Sequence, residues 1–188
     1  MGIFSLEHSR AAYWADFVLY GVSTLLLSSF LLARAPPELG LEVLSCVLGG
    51  LLGWSAIEYV LHRFVLHGLA PFQGWHAEHH ARPRALIGTP TILSATLIAT
   101  LVFLPALLLG NLWRACALTL GLLIGYLAYA VMHHALHHWR AEHAWFKRRK
   151  HWHALHHRAD LGGHYGVTSA FWDHALGTAQ PRQRANAG

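Results

Sequence analysis

The chain has 188 residues, room for one domain of ordinary size and for no second catalytic module. It is 54% apolar and only 12% charged, where a soluble domain carries about 25% charged residues; with a mean hydropathy of +0.33, this excludes an ordinary water-soluble globule. The net charge of +5 comes with 17 His and eight Trp.

The first ten residues lack the basic start, apolar core and small-residue cleavage site of a signal peptide. They also lack the hydroxyl residue that a myristoylation signal requires. Neither leader nor lipid anchor is expected. Four apolar stretches follow, each long enough for a membrane crossing of about 20 helical residues. The first covers residues 17–34 and ends at the turn Ala35-Pro36-Pro37. The second covers 41–61, with Glu42 and Glu58 near its ends. The third, 86–109, holds Pro90 and Pro105, which predict a late start or a kink. Gly110-Asn111 separates it from the fourth, 115–133. The short connections predict two helical hairpins. Cys46 and Cys116 lie inside apolar runs with no CxxC, which argues against a disulfide framework or a thiolate zinc site.

Of 14 Lys and Arg, only Arg34 and Arg114 fall in the two hairpin loops. By the positive-inside rule, both termini and the connection between spans two and three are cytoplasmic. All 17 His fall on that side. Segments 62–84 and 134–178 then form a cytoplasmic cap, and residues 179–188 read as a disordered tail. Residues 139–152 (WRAEHAWFKRRKHW) interleave aromatic and basic side chains. Beside four spans this predicts an amphipathic helix at the anionic inner leaflet, not a nucleic-acid partner.

The histidines form four clusters: His62 and His67; His76, His79 and His80; His133, His134, His137 and His138; His153, His156 and His157. Residues three and four apart share a helix face, so each HxxHH triplet is expected to point at one place. His62 and His67 are five apart, which a straight helix splays by about 140°. Gly68 and Pro71 follow, so the helix is expected to end there and His67 to bend back. His134 and His138 lie about 100° round the helix from His133 and His137, and spacing alone does not choose between the pairs. A metal buffer would be low-complexity, whereas each cluster here has helical spacing and a fixed place relative to a span. Ten ligands are too many for one tetrahedral ion and suit two metals, with positions left for oxygen and water. Glu58, one turn before His62, is expected to orient the outer nitrogen of that ring; Glu78 reads equally as a supporting or a water-facing carboxylate.

Residues 58–67 (EYVLHRFVLH), 76–80 (HAEHH), 129–138 (YAVMHHALHH) and 153–157 (HALHH), in that order, resemble the fatty-acid hydroxylase/sterol desaturase superfamily. Residues 165–178 (YGVTSAFWDHALGT) look like its closing signature, and Arg82-Pro83 after His80 resembles the fatty-acid 2-hydroxylase branch. The resemblance implies an all-α, four-span membrane protein whose cytoplasmic helical cap holds a His-rich di-metal site. Its implied ligands are His62, His67, His76, His79, His80, His133, His137, His153, His156 and His157. It implies two irons, with zinc possible in isolated protein, and O2-dependent hydroxylation of a lipid acyl chain, possibly at C2. No cytochrome b5 segment is seen in these residues, so electrons are expected from a separate cytochrome b5-like or ferredoxin-type partner. His134, His138, His164, His174 and Asp173 join Glu58 as residues supporting the ligands, Asp173 by bonding a ligand His or a basic side chain. Trp54, Tyr59, Phe64, Tyr126, Tyr129 and Phe171 are candidate walls for a lipid drawn from the membrane. The alternatives are the same chemistry on a sterol or carotenoid, and a zinc-binding membrane protein without oxidation chemistry. Transport is disfavoured, because ionisable residues within the spans are scarce.

Overall fold

The computed structural model describes residues 7–158, 161–180, 182 and 183. Four helices are long and apolar enough to cross a membrane: Arg10–Arg34, Pro37–Leu66, Thr91–Leu109 and Leu112–His138. The chain is an all-α integral membrane protein. It divides into two compact units, residues 1–54 with 86–127, and residues 55–85 with 128–188.

In the first unit, α1 (Arg10–Arg34) starts earlier than expected, because Ser9 caps it by accepting from the Ala12 N–H. The longer helix takes in Asp16, which accepts from Thr91 Oγ1 at 2.7 Å, while Tyr20 Oη meets Ser94 Oγ at 2.7 Å. These bonds satisfy polar groups that hydrocarbon would otherwise penalise. After the short 3-10 turn Pro37–Leu39, α2 runs Gly40–Val60. The third span begins at Thr91, after Pro90, as α4 (Thr91–Ile98). It then widens into a π-turn, Ala99–Phe103, and resumes as α5 (Leu104–Leu109). The π-turn ends just before Pro105, whose ring lacks an N–H and crowds the carbonyl four residues back. The span therefore starts late and absorbs its second proline without breaking. Helix α6 (Leu112–His138) is capped by Asn111, whose Oδ1 accepts from the Arg114 N–H at 2.9 Å.

Glycine lets α2 and α6 approach closely in this unit. A Cβ at Gly121 would overlap the Val47 carbonyl oxygen, and one at Gly50 would overlap that of Leu118. Small residues at such crossings admit backbone-to-backbone packing in hydrocarbon. Around the crossing lie Leu31, Cys116, Ala117 and Leu120, with Phe30 stacked on Trp113; both cysteines are free thiols in or beside this core. Outward leucines such as Leu32 (89% exposed) and Leu109 (88%) have only lipid to meet. Gly121→Leu is expected to destabilise the folded protein by about 1–3 kcal/mol through overpacking, read as a lower midpoint of thermal unfolding in detergent; an unchanged midpoint would show that the crossing is slack.

The second unit contains the C-terminal ends of α2 and α6, then α3 (Phe72–Ala81), α7 (Ala144–His156) and α8 (Phe171–Ala175). Strands β1 (Leu161–Gly162) and β2 (Arg182–Gln183) pair antiparallel, in register Leu161 to Gln183 and Gly162 to Arg182. Of the tail expected to be disordered from residue 179, residues 182 and 183 thus hold a backbone pair, while 181 and 184–188 lie outside the described residues. The basic aromatic helix does not span 139–152. Its first residue is Ala144, preceded by His143 in extended conformation, and it buries Arg149, His153 and His156.

Candidate metal centre

The helix carrying His62 ends at His67, just before Gly68, as expected, but its last turn is not α-helical. After Val60 it widens into a π-turn, Leu61–Leu66, with His67 as its cap. Hydrogen bonds from i to i+5 bring residues five apart one above the other, so His62 and His67 face the same way, their ring centroids 5.4 Å apart. The 140° splay belongs to a straight α-helix, and the π-turn removes it without any bend back.

The HxxHH triplets also divide differently from the expectation. At 100° per residue, the residue at i+4 lies about 40° to one side of residue i and that at i+3 about 60° to the other. His76 and His80 therefore serve one group, and His79 serves a second; likewise His153 and His157 share a group that His156 leaves. The first group is His62, His67, His76, His80 and His156, and the second is His79, His133, His137, His153 and His157. Within each group the five ligand atoms lie within 4.8 Å of one another. Helices α3 and α7 thus each straddle both groups, and His80 stacks on His157 at 4.2 Å between them.

In each group it is the Nε2 atoms that converge. His76 Nε2 lies 3.0 Å from Nε2 of both His62 and His80, and His67 Nε2 lies 3.1 Å from that of His156. In the second group the separations are 3.1 Å for His133 to His79, 3.3 Å for His137 to His133, 2.8 Å for His153 to His137 and 3.2 Å for His157 to His153. A chain of ring nitrogens at this spacing is poorly explained by hydrogen bonds, since a neutral imidazole has one donor and one acceptor. It is the edge length of a coordination shell: with metal–nitrogen bonds of about 2.0–2.1 Å, neighbouring nitrogens stand about 3.0–3.4 Å apart. The donor set fits two metal ions, and all-imidazole donors suit iron, zinc or copper.

Outer nitrogens set the tautomers. His62 Nδ1 donates to the Tyr165 carbonyl and His156 Nδ1 to the Gly163 carbonyl at 2.9 Å, so each Nε2 keeps its lone pair for a metal. Gly163 has a φ of 123°, a conformation open to glycine that turns its carbonyl to the ring. Glu58 is not on His62. Its Oε1 accepts from the N–H groups of Val167 at 2.6 Å and Thr168 at 2.9 Å, and its Oε2 accepts from Thr168 Oγ1. Among the described residues, Asp173 bonds neither a histidine nor a basic side chain: it accepts from the N–H of Tyr165 at 2.9 Å, the N–H of Gly166 at 2.8 Å and Thr178 Oγ1 at 2.7 Å. Arg149 donates to the carbonyls of Gly166 at 2.7 Å and Val167. Two buried carboxylates and one buried guanidinium thus hold residues 165–168, and that loop in turn holds His62. Burial pushes the Arg149 pKa down, and the Glu58 and Asp173 charges oppose the shift.

The other expected supports lie off the ligands. His134 and His138 stack on each other at 4.4 Å outside both groups. His164 stacks on Trp152 at 5.4 Å and His174 meets the same ring edge-on. Glu78 forms an exposed pair with Arg82 at 2.6 Å. Among the expected pocket walls, Phe64 lines a cavity beside His67 and Tyr129 stacks on His133. Tyr59 is buried and bonded to Thr178, Trp54 packs on Tyr126 in the first unit, and Phe171 is 64% exposed. Sequence reasoning missed Arg149 and Tyr165. The signal for Arg149 was a basic residue one turn before His153, which a purely surface helix does not explain.

Burial, and to a lesser extent the neighbouring rings, pushes His79 down to about 3, His80 to about 2 and His157 to about 4, and His76, His153 and His156 are also lowered. The unfolded chain takes up protons near pH 6.5, whereas the folded centre refuses them until the pH is far lower. Stability conferred by these groups is therefore full above pH 6.5 and declines as pH falls from there through the folded values of about 4 to about 2. Chelator-stripped protein should unfold at a lower temperature at pH 5 than at pH 7.5; equal midpoints would contradict the buried, neutral rings.

Residues 47–178 match the fatty acid hydroxylase family. The chain belongs to that family. Among curated relatives it is similar to the dihydroceramide fatty acyl 2-hydroxylase FAH2 of Arabidopsis thaliana, 33% identical over 76% of this chain and 62% of that protein. It is also similar to the ceramide very long chain fatty acid hydroxylase scs7 of Schizosaccharomyces pombe, 31% identical over 70% of this chain and 41% of that one. The fatty acid 2-hydroxylase of Homo sapiens is 27% identical over 69% of the chain and 38% of its own length. The chain thus spans less than two thirds of each of these relatives, from 38% to 62% of their length. Among solved structures, full-length scs7p, with only its hydroxylase domain visible, matches 94% of this chain and 68% of that chain with a TM-score of 0.72 and 26% identity. Residues 47–178, which match the family, contain every histidine of both groups.

Proposed function

We propose that the protein is an oxidoreductase that hydroxylates the acyl chain of a fatty acid or an N-acylated lipid at C2. The observation that carries this reading is the sorting of ten imidazole nitrogens into two adjacent groups of coordination-shell spacing, in a chain of the fatty acid hydroxylase family. Two irons bound there would supply the dioxygen activation and hydrogen abstraction that an unactivated C–H bond requires.

The chain's own residues do the rest. The Tyr165 and Gly163 carbonyls fix which nitrogen of His62 and His156 faces inward. The loop bonded to Glu58, Asp173 and Arg149 keeps the Tyr165 carbonyl still, and the buried rings of His62, His79, His153 and His156 help to shield the centre from water. Twelve of the 14 Lys and Arg lie outside the two hairpin loops, which supports a cytoplasmic centre fed from the inner leaflet. Electrons come from a separate redox protein. A fatty-acyl substrate is favoured over a sterol or carotenoid because the similar proteins are named for fatty acyl and ceramide hydroxylation.

The test is mass spectrometry of lipid extracts from cells with and without the protein. A gain of one oxygen at C2 of acyl chains supports the reading. A gain confined to carotenoids or sterols, with acyl chains unchanged, overturns it, and no oxidised lipid at all favours a zinc-binding protein.

A further inference from the structure

Beside the first histidine group lies a partly open cavity of about 400 Å³, lined by Arg63, Phe64, His67, Gln73, Ala77 and Tyr165. This is within the size range of small-ligand sites, and one of its walls, His67, belongs to the metal centre. The chemical oddity is Arg63, a half-buried cation between two histidines of the group. Among the described residues it has no carboxylate partner. Its Nη1 donates to Tyr59 Oη at 2.8 Å, and its guanidinium lies 4.9 Å from the Phe64 ring centroid and 5.9 Å from that of Tyr165.

The bond to Tyr59 anchors the side chain. Thr178 Oγ1 gives its proton to Asp173 Oδ1, so the 2.9 Å contact between Tyr59 and Thr178 is a donation from Tyr59. The lone pairs of Tyr59 Oη are thereby left to Arg63. One edge of the guanidinium is fixed, and a guanidinium carries five donors in a planar fork suited to a carboxylate or carbonyl. The apolar sides of the cavity, Phe64 and Ala77, suit an alkyl chain, and Gln73 adds an amide.

We propose that Arg63 binds the C1 oxygen of the acyl substrate, a carboxylate or an amide carbonyl, and so determines which carbon is oxidised. This rests on the acyl-hydroxylase reading. C2 is one bond from C1, so an anchor for the C1 oxygen must sit within reach of the metal centre. Arg63 shares its cavity with His67.

The experiment compares wild type, Arg63→Gln and Arg63→Lys, each assayed for bound metal. Binding of radiolabelled palmitate is measured on the zinc-loaded proteins, and the position of hydroxylation on the iron-loaded ones. Arg63→Gln should keep its metals, bind palmitate about 10- to 100-fold more weakly, and spread residual hydroxylation beyond C2; Arg63→Lys should fall between. Repeating the turnover with an N-acyl sphingoid base distinguishes the source of the C1 oxygen: a larger loss on the free acid indicates a carboxylate, and a larger loss on the amide indicates the N-acyl lipid. Arg63→Gln with metals bound and unchanged palmitate affinity and C2 selectivity overturns the assignment. So does a variant that loses its metals, since Arg63 would then be a structural residue. If wild type binds palmitate through Arg63 yet oxidises no acyl lipid, the functional reading fails while the binding site stands.

Discussion

His156→Ala is expected to halve the metal content and remove hydroxylation to below about one hundredth of wild type. The side chain is 1% exposed, its Nε2 sits 3.1 Å from that of His67, and its Nδ1 is held by the Gly163 carbonyl. Alanine removes one of five donors from the first group and opens a buried void that no neighbour on α7 can fill. The loss should exceed the 10- to 100-fold cost typical of disturbing a residue behind a ligand. The five donors of the second group, His79, His133, His137, His153 and His157, are untouched. Metal per chain should fall from two to about one, measured by elemental analysis against protein concentration. A protein that kept two metals would mean that His156 is no ligand.

Asp173→Asn is the second large effect. The carboxylate is 1% exposed and accepts three hydrogen bonds, from the N–H groups of Tyr165 and Gly166 and from the hydroxyl of Thr178. An amide puts an NH2 where one of these donors already points. The clash leaves a buried donor unsatisfied, at a cost of about 1–3 kcal/mol, and loosens the loop whose Tyr165 carbonyl orients His62. Hydroxylation should fall about 10- to 100-fold with a lower unfolding midpoint. Glu78→Gln is the control, because the exposed Glu78–Arg82 pair contributes little. Equal activity in the two variants would show that the loop does not position His62.

Four membrane-capable helices were legible from composition alone, because hydrocarbon demands long uncharged runs whatever the tertiary packing. So were the four histidine clusters, since helical spacing and order along the chain limit what can converge; the choice of His133 and His137 over His134 and His138 came from the family resemblance, and the structure brings that pair into the second group. What escaped was local helix geometry and long-range bonding. The five-residue interval from His62 to His67 was read on a straight α-helix, and nothing in the residue pattern announced a π-turn. The triplet His76, His79 and His80 was read as one face, although the 100° between His79 and His80 is enough to assign them to different groups. Glu58 was expected on the ring one turn away, but its partners lie more than 100 residues later in the loop after Tyr165. Arg149 lies in the basic segment expected at the inner leaflet, and only the fold reveals the two carbonyls it holds.

The central claim is that the two histidine groups hold metals that oxidise an acyl chain. It is tested most directly by iron-loaded protein in lipid nanodiscs, supplied with an acyl lipid, a chemical reductant and 18O2. One 18O atom is expected at C2 of the acyl product, absent from His156→Ala under the same conditions. Wild-type protein with two irons bound that puts no 18O into the lipid, or equal labelling by wild type and His156→Ala, would contradict it.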